Sequence, residues 1–265
     1  MPWFFVRVWS EHLDFGGGRS RREGGGLNKT NKDIYDDYFK FRNVTTGYYS
    51  EFHLPAYLKK VLPVEREDAI LDIGCGLGQM LKALGAIGYG NLSGVDISES
   101  AVASCRAEGL NVDRIESIAE FRPEAGKRFD FIIMSHVIEH IEKPEIVATL
   151  RAIKTHLLNE GGQLVIMTPN AQSHTGCYWA YEDFTHSTIF TAGSLYFVLK
   201  SAGFEQVDFL DSLGTDGSSV AGRLLKNALI SLYRMRLAFW NQVTGSSFHK
   251  PSPQIFTFEL KALAR

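Results

Sequence analysis

The stretch Ala69-Ile-Leu-Asp-Ile-Gly-Cys-Gly-Leu-Gly78 decides the fold of this chain. Its apolar first half predicts a buried strand, and its glycines let the backbone turn sharply and approach a ligand closely. A helix predicted over residues 79–87 follows, and its first N–H groups have no partner within the helix. The stretch therefore predicts a strand–turn–helix unit that binds a nucleotide-like ligand.

Two acidic residues and one glutamine indicate which class of nucleotide-like ligand would bind. A dinucleotide fingerprint needs Gly or Ala three residues after its second glycine, and Gln79 occupies that position here. Asp72 precedes the turn, where a carboxylate would repel a pyrophosphate but could hold the ammonium of an amino acid. Asp96 follows Gly76 by twenty residues and suits the two ribose hydroxyls of an adenosine, with a helix cap as its alternative role. The pattern favours a nucleoside joined to an amino acid.

Strands and helices alternate downstream of the turn. Such alternation with short connections predicts a parallel sheet with helices on both faces. Ser98 is expected to cap the second of these helices. The predicted strands are 69–73, 92–95, 112–115, 129–134, 163–167, 206–210 and 255–263, and the predicted helices are 79–87, 99–108, about 144–158 and about 193–202.

Four motifs occur in order along the chain: LDIGCGLG, GVDIS, FDFIIMSHVIEHI and GGQLVIMTPN. In combination they resemble the successive motifs of class I S-adenosylmethionine-dependent methyltransferases, over roughly residues 69–209. The resemblance implies an α/β, Rossmann-like doubly wound sheet of seven strands, mostly parallel with an antiparallel C-terminal strand. N-terminal helices and a helical insertion before the last strand would complete this fold.

The same resemblance implies S-adenosyl-L-methionine as the cofactor, bound at the ends of the first four strands. The glycine turn would face its methionine part, and residues 116–118 would border its adenine. Ser135 and His136 would lie beneath the sulfonium. The residues expected to contact the cofactor are Asp72, Gly74, Cys75, Gly76, Asp96, Ile97, Ser117, Ile118, Ser135 and His136.

The methyl acceptor is expected in the polar and aromatic connection over residues 170–191, because ligands bind beyond the carboxyl ends of parallel strands. Rings combined with carboxylates and imidazole suit a sugar or a phenol. The run TPN…DFTH…FT…SL…L…AGF resembles methyltransferases of cell-surface polysaccharide or other glycan biosynthesis. The expected acceptor contacts are Asn170, Tyr178, Trp179, Asp183 and His186.

Two histidines are the candidate catalytic residues. His186 is the first candidate for a general base, because a neutral imidazole can take the proton that the acceptor hydroxyl loses. Its alternative role is to anchor the loop. His136 is the second candidate, since it would lie beside the reacting sulfonium.

His136, Glu139 and His140 form an HxxEH cluster that would place both histidines on one face of a helix. Such a set could ligate a divalent metal, and some quinone-precursor and RNA-end methyltransferases have a related ExxEH cluster that binds one. The first residue here is His rather than Glu. We therefore expect no metal, with Glu139 and His140 ordering the helix.

Composition indicates the domain limits and excludes some partners. The segment GGGRSRREGGG over residues 16–26 has little to bury, so residues 1–30 are expected to form a flexible leader. Residues 31–265 would then form the methyltransferase domain, with N-terminal helices at 31–65. A formal net charge of −2 gives no reason to expect a nucleic-acid partner. Three cysteines without a CxxC pair favour a reduced, cytoplasmic setting.

The segment 212–253 is basic and amphipathic. It contains no acidic residue between Asp216 and Glu259. One interpretation is a lid over the acceptor pocket. A compatible one is peripheral contact of residues 220–243 with an anionic membrane, such as the inner face of the cell membrane, which would suit a lipid-linked glycan acceptor. The basic residues are Arg223, Lys226, Arg234, Arg236 and Lys250.

The sequence thus predicts an S-adenosylmethionine-dependent enzyme that O-methylates a sugar or glycan intermediate by in-line transfer. Methylation of a small phenolic or quinone precursor is the alternative enzymatic function. A third hypothesis is a non-enzymatic module that binds S-adenosylmethionine. An NAD-dependent oxidoreductase is the most distant alternative.

Overall fold

The computed structural model describes residues 52–265. The predicted leader over 1–30 and most of the predicted N-terminal helices over 31–65 lie outside this range. The strands are β1 (Ile70–Ile73), β2 (Leu92–Asp96), β3 (Val112–Arg114), β4 (Phe129–Ser135), β5 (Leu158–Pro169), β6 (Val207–Phe209) and β7 (Glu259–Ala264). The helices are α1 (Ala56–Lys59), α2 (Gln79–Ala86), α3 (Glu99–Ala107), α4 (Ile146–Ala152), α5 (Gly176–Glu182), α6 (Ala192–Ser201) and α7 (Val220–Thr244).

The seven strands form one sheet in the order β3-β2-β1-β4-β5-β7-β6. Strands β1 to β5 pair in parallel, whereas β7 runs antiparallel to both of its neighbours. The strand order reverses between β1 and β4, and ligands of such sheets bind in the crevice at that point. The predicted fold class is confirmed, including the single antiparallel strand at the C-terminus.

Alternate residues of the central strands face two separate cores, because side chains of a strand point to opposite sides of the sheet. Leu71 and Ile73 belong to one core and Ile70 to the other, and all three are fully buried. Helices cover both faces, so the central strands are mostly apolar rather than alternating. Helix α3 begins where the sequence predicts: Ser98 Oγ accepts the Ala101 N–H at 3.3 Å and caps the helix.

Strand β5 differs from its prediction. It begins at Leu158 rather than at residue 163, so Gly161 and Gly162 lie within the strand. The pairing with β4 jumps from Phe129 opposite Leu158 to Phe131 opposite Gln163, so the glycines lie within a bulge. Gly161 adopts a φ of 76°, which glycine tolerates best. The helix before β5 changes type before it ends, since α4 passes into a π-helical turn at Ile153–Leu157.

Helix α7 is 25 residues long, and none of its residues is buried. This confirms the helix predicted from the amphipathic pattern of residues 220–243. Whether it acts as a lid stays a prediction. Among residues 52–265, no helix combines the length and the apolar character required to cross a membrane.

Candidate functional site

The glycine turn joins β1 to α2 in a conformation that only glycine adopts easily. Gly74, Gly76 and Gly78 have φ values of 71°, 52° and 78°, in the left-handed region. The Gly74 N–H donates to Val95 O at 2.8 Å, which holds the turn against the end of β2. A Cβ on Gly74 would lie 2.3 Å from Val137 Cγ2. The turn therefore requires glycine at 74 both for its dihedral angle and for its contact with the loop after β4.

Two carboxylates flank this turn. Asp96 accepts the Gly76 N–H through Oδ2 and the Ser98 N–H through Oδ1, both at 2.8 Å. A carboxylate oxygen can accept more than one hydrogen bond, so Asp96 is oriented in a way that is compatible with ribose hydroxyls. Asp72 is 3% exposed, and burial followed by the charge of Asp96 raises its pKa well above the usual range. A cationic group arriving at Asp72 would favour its ionised form. The turn and its acids thus fit the ammonium and ribose of S-adenosylmethionine.

The other predicted cofactor residues come together at the same edge of the sheet. This follows from the register, in which Ile73 pairs with Val95 on one side and with Met134 on the other. Ile97 and Ile118 pack against the core beneath the edge. Their contacts with the cofactor, like those of Cys75, Ser117 and Ser135, stay predictions.

His136 follows β4 and has a left-handed φ of 55°. Its Nε2 lies 2.9 Å from Glu259 Oε1, and its Nδ1 lies 3.3 Å from Glu139 Oε1. Although burial alone favours the neutral ring, hydrogen bonds and charges of these two carboxylates raise the pKa of His136 to about 10. The ring is therefore an imidazolium at neutral pH, and it cannot accept a proton from an acceptor.

The arrangement predicted for the HxxEH cluster is wrong. Only Ile138–His140 forms a helical turn, and it is a single 3₁₀ turn. His136 lies before it with a backbone conformation that no helix contains, so His136 and His140 do not share a helical face. Instead, His136 contacts the start of β7, whereas His140 contacts the loop around Thr185.

Glu139 connects this cluster to the acceptor loop. Its side chain is completely buried, and Oε2 accepts a hydrogen bond from Thr168 Oγ1 at 3.0 Å. Its backbone oxygen accepts the N–H groups of Ser187 and Thr188 at 2.8 and 3.1 Å. Burial opposes ionisation, but the hydrogen bond and charge of His136 outweigh it and lower the pKa of Glu139. A buried, charged glutamate thus supports the loop that carries His186.

His140 and His186 form a pair with ring centroids 4.7 Å apart. His186 Nδ1 donates to Trp179 O at 2.6 Å, so the neutral ring carries its lone pair on Nε2. This Nε2 lies 3.9 Å from Asp183 Oδ2. His140 Nδ1 lies 2.9 Å from Thr185 Oγ1, and burial lowers the pKa of His140. The pair therefore brings two imidazole rings together beside Glu139, which contacts the cationic His136.

Aromatic rings lie beside these histidines. Trp179 and Phe258 have centroids 6.1 Å apart, and Phe258 stacks on His136 at 6.4 Å. Tyr178 meets Trp179 edge-on at 5.1 Å. Phe258 and Glu259 were missed by the sequence analysis. The available signal was topological: an antiparallel last strand begins at the edge where the parallel strands end, so the residues at its start reach the site.

The position of Asn170 does not support the predicted contact of this residue with the acceptor. It is fully buried, and its Nδ2 donates to Ile255 O at 2.7 Å and to Thr257 O at 2.8 Å. Its Oδ1 accepts the Gln172 N–H at 2.9 Å. Because both ends of the amide are used within the chain, Asn170 anchors the segment that leads into β7.

Three side chains form a possible metal-binding group. Glu139, His140 and His186 each offer one ligand atom, and these atoms lie within 4.8 Å of one another. A carboxylate with two imidazoles is a donor set that divalent transition metals use in proteins. The expectation that no metal binds stays a prediction, to be tested with the function.

A comparison with known proteins agrees with this geometry. A family model described as a methyltransferase domain matches residues 49–208. The ubiquinone biosynthesis O-methyltransferase of Cereibacter sphaeroides is 32% identical over 52% of this chain and 61% of its own length. This chain therefore spans about three-fifths of the length of the curated relatives it matches.

Solved structures share the fold. A SAM-dependent methyltransferase from Archaeoglobus fulgidus has a TM-score of 0.53 at 20% identity and covers 88% of this chain and 93% of its own. A DhpI–SAH complex has a TM-score of 0.54 at 12% identity and covers 88% of this chain and 94% of its own. The family match extends over more than half of the chain and confirms the predicted class and its cofactor, S-adenosylmethionine. The chain belongs to the methyltransferase domain family.

Proposed function

We propose that this protein uses S-adenosylmethionine to methylate a hydroxyl group on a small phenolic or quinone-type acceptor. The observation that carries the proposal is a group of rings and imidazoles: Phe258 contacts both His136 and Trp179, and His186 donates to the backbone oxygen of Trp179 and contacts His140. Flat rings accommodate an aromatic acceptor, and imidazole nitrogens suit its hydroxyl. The names of the curated relatives support this acceptor class over a sugar.

The residues of the turn would hold the cofactor. Asp72 would take its ammonium and Asp96 its ribose hydroxyls, while the backbone of Gly74 and Gly76 allows close approach. When bound, S-adenosylmethionine supplies an activated methyl group with a neutral thioether as leaving group. The protein's own contribution is to align the acceptor and to accept a proton.

His186 is the proposed general base. A phenol has a pKa of about 10, so its oxygen is a weak nucleophile until its proton leaves. Nδ1 of His186 donates to Trp179 O, which leaves the Nε2 lone pair to accept a substrate proton. Asp183 Oδ2, 3.9 Å from Nε2, would stabilise the imidazolium that forms. His136 is already protonated at neutral pH and would act as a positioning residue.

A divalent metal on Glu139, His140 and His186 is the competing arrangement for the same site. In that case His186 would be a ligand rather than a base. The two arrangements differ in one measurement: activity after dialysis against a chelator, followed by addition of Mg²⁺ or Zn²⁺. Full activity of the dialysed protein supports the base, and recovery only with metal supports the ligand set.

The acceptor class is tested by the formation of S-adenosylhomocysteine with a panel of catechols and hydroxyquinones and a matched panel of sugars. We expect turnover with the phenols. Turnover with sugars alone would reject the proposal in favour of glycan methylation. Binding of S-adenosylhomocysteine in calorimetry without any turnover would indicate a non-enzymatic module, and binding of NAD instead would reject the cofactor.

The cysteines support the proposed cytoplasmic setting. Cys75 and Cys105 are buried, Cys177 is exposed, and all three are free thiols. Free thiols persist in a reducing compartment. We further propose that residues 31–265 act as one methyltransferase domain, with residues 212–253 as its insertion.

A further inference from the structure

Helix α7 presents an apolar surface that the proposed function does not use. Many of its large apolar side chains are more than half exposed, for example 66% at Leu224 and 57% at Leu232. We call this surface the α7 apolar face. Its members are Leu224, Leu225, Leu229, Leu232, Met235, Phe239 and Val243.

The α7 apolar face points away from the rest of the described chain. Successive residues of a helix are rotated by about 100°, which places its members within one half of the circumference. The opposite side contacts the segments that flank the helix: the Tyr233 ring lies 5.6 Å from that of Phe256, and Lys226 Nζ donates to Gly214 O. The helix is thus attached along one side and leaves its apolar side to the solvent.

The charge of this segment is of one sign. Residues 217–258 contain no acidic residue and five basic ones. Arg223 and Arg236 are exposed, whereas Arg234 reaches back to Gln254 O at 3.3 Å. Trp240, 52% exposed, lies near the C-terminal end of the helix. An apolar face with basic residues and an exposed tryptophan is typical of helices that lie in the headgroup region of a membrane.

Charge also argues against a second copy of the chain as the partner. Pairing two α7 apolar faces would bring two sets of basic residues together with no acidic residue on either helix to balance them. An anionic lipid surface would both cover the apolar side chains with acyl chains and neutralise the arginines with headgroups. We propose that α7 docks the protein peripherally on anionic membranes. This inference does not depend on the identity of the methyl acceptor.

The test is co-sedimentation of the full chain with vesicles of phosphatidylcholine, with and without phosphatidylglycerol. We expect sedimentation with the anionic vesicles at low salt, weakened by high salt because charges at the surface are screened. The double variant Leu229→Glu/Leu232→Glu is expected to bind about 100-fold more weakly, because two apolar side chains lose their burial.

A matched control separates charge from apolar contact. Asn227→Glu/Ser231→Glu makes the same change in net charge on the same helix, at exposed positions outside the α7 apolar face. We expect this control to bind more strongly than the leucine variant. Equal loss in both variants would reject the apolar contact. Absence of binding by the unmodified protein would overturn the proposal, whether light scattering then shows a dimer or a monomer.

Discussion

The carboxyl edge of the sheet and helix α7 depart from the usual distribution of side chains in opposite ways. At the edge, the ionisable side chains of Asp72 and Glu139 are buried. Along α7, leucines and aromatic rings are exposed. Burial of charge is costly unless the charge is paired, whereas an exposed apolar surface indicates a partner.

The two regions differ in whether their unusual side chains find partners within the described chain. The charge of Glu139 is balanced within the chain by His136, which also contacts Glu259. Asp72 instead has a raised pKa, and a cationic ligand would stabilise its ionised form. None of the residues of helix α7 is buried. Substitutions should therefore affect activity and stability strongly at the edge and weakly on α7.

The largest effect is expected for His186→Ala. Loss of a general base lowers a rate by about 100- to 10,000-fold, so turnover with a phenolic acceptor should fall by about 1,000-fold. The affinity for S-adenosylhomocysteine should not change, because the proposed role of His186 is towards the acceptor and not the cofactor. Initial rates and calorimetry measure the two quantities. The control His174→Ala removes an exposed histidine of the same connection, and equal turnover of both variants would leave His186 only its role as an anchor.

Gly74→Ala should have the next largest effect. The new side chain combines an unfavourable φ with a 2.3 Å approach to Val137, and we expect a loss of about 3 kcal/mol in the free energy of unfolding, with weaker cofactor binding. Gly88→Ala is the matched control, because Gly88 has a φ of 98° and open space around it. The free energy of unfolding of that control should fall by only about 1 kcal/mol. Urea unfolding of both variants measures the difference, and equal losses would show that the Val137 contact relaxes freely.

His136→Gln should cost about 2 kcal/mol at pH 6, less than a fully buried ion pair because the ring is partly exposed. The folded pKa of about 10 lies above the ordinary 6.5. The charged His136 ring therefore contributes fully to the free energy of unfolding below pH 6.5. This contribution declines as the pH rises and is lost above about pH 10. Urea unfolding of both proteins at pH 6, 8 and 10 should show their difference shrinking. A difference that is constant with pH would mean that His136 is neutral in the folded protein.

The sheet and the glycine turn were predictable because their signals are local. Apolar runs mark β1 and β4, and a glycine pattern with Asp72 marks the turn. Glu259 and Phe258 were not predictable in this way, since they reach the site only through the pairing of β7 with β5. Their role depends on register, which no short motif encodes.

The HxxEH cluster illustrates a different limit. Its spacing suggested a helical face, but the chain leaves β4 at His136 in a left-handed conformation. The two flanking carboxylates then hold the ring in that position. The local pattern therefore did not show the contact of His136 with Glu259, which is distant in sequence.

The smallest effect is expected on α7, and it is the most direct test of the comparison. Leu229→Ala/Leu232→Ala removes apolar side chains that are more than half exposed, so the free energy of unfolding should change by less than about 0.5 kcal/mol. Leu199→Ala in α6 removes a fully buried leucine and should cost about 3 kcal/mol. Urea unfolding without lipid measures both. A loss above about 1 kcal/mol for the α7 variant would mean that the helix packs against its own chain, because only buried side chains can contribute that much.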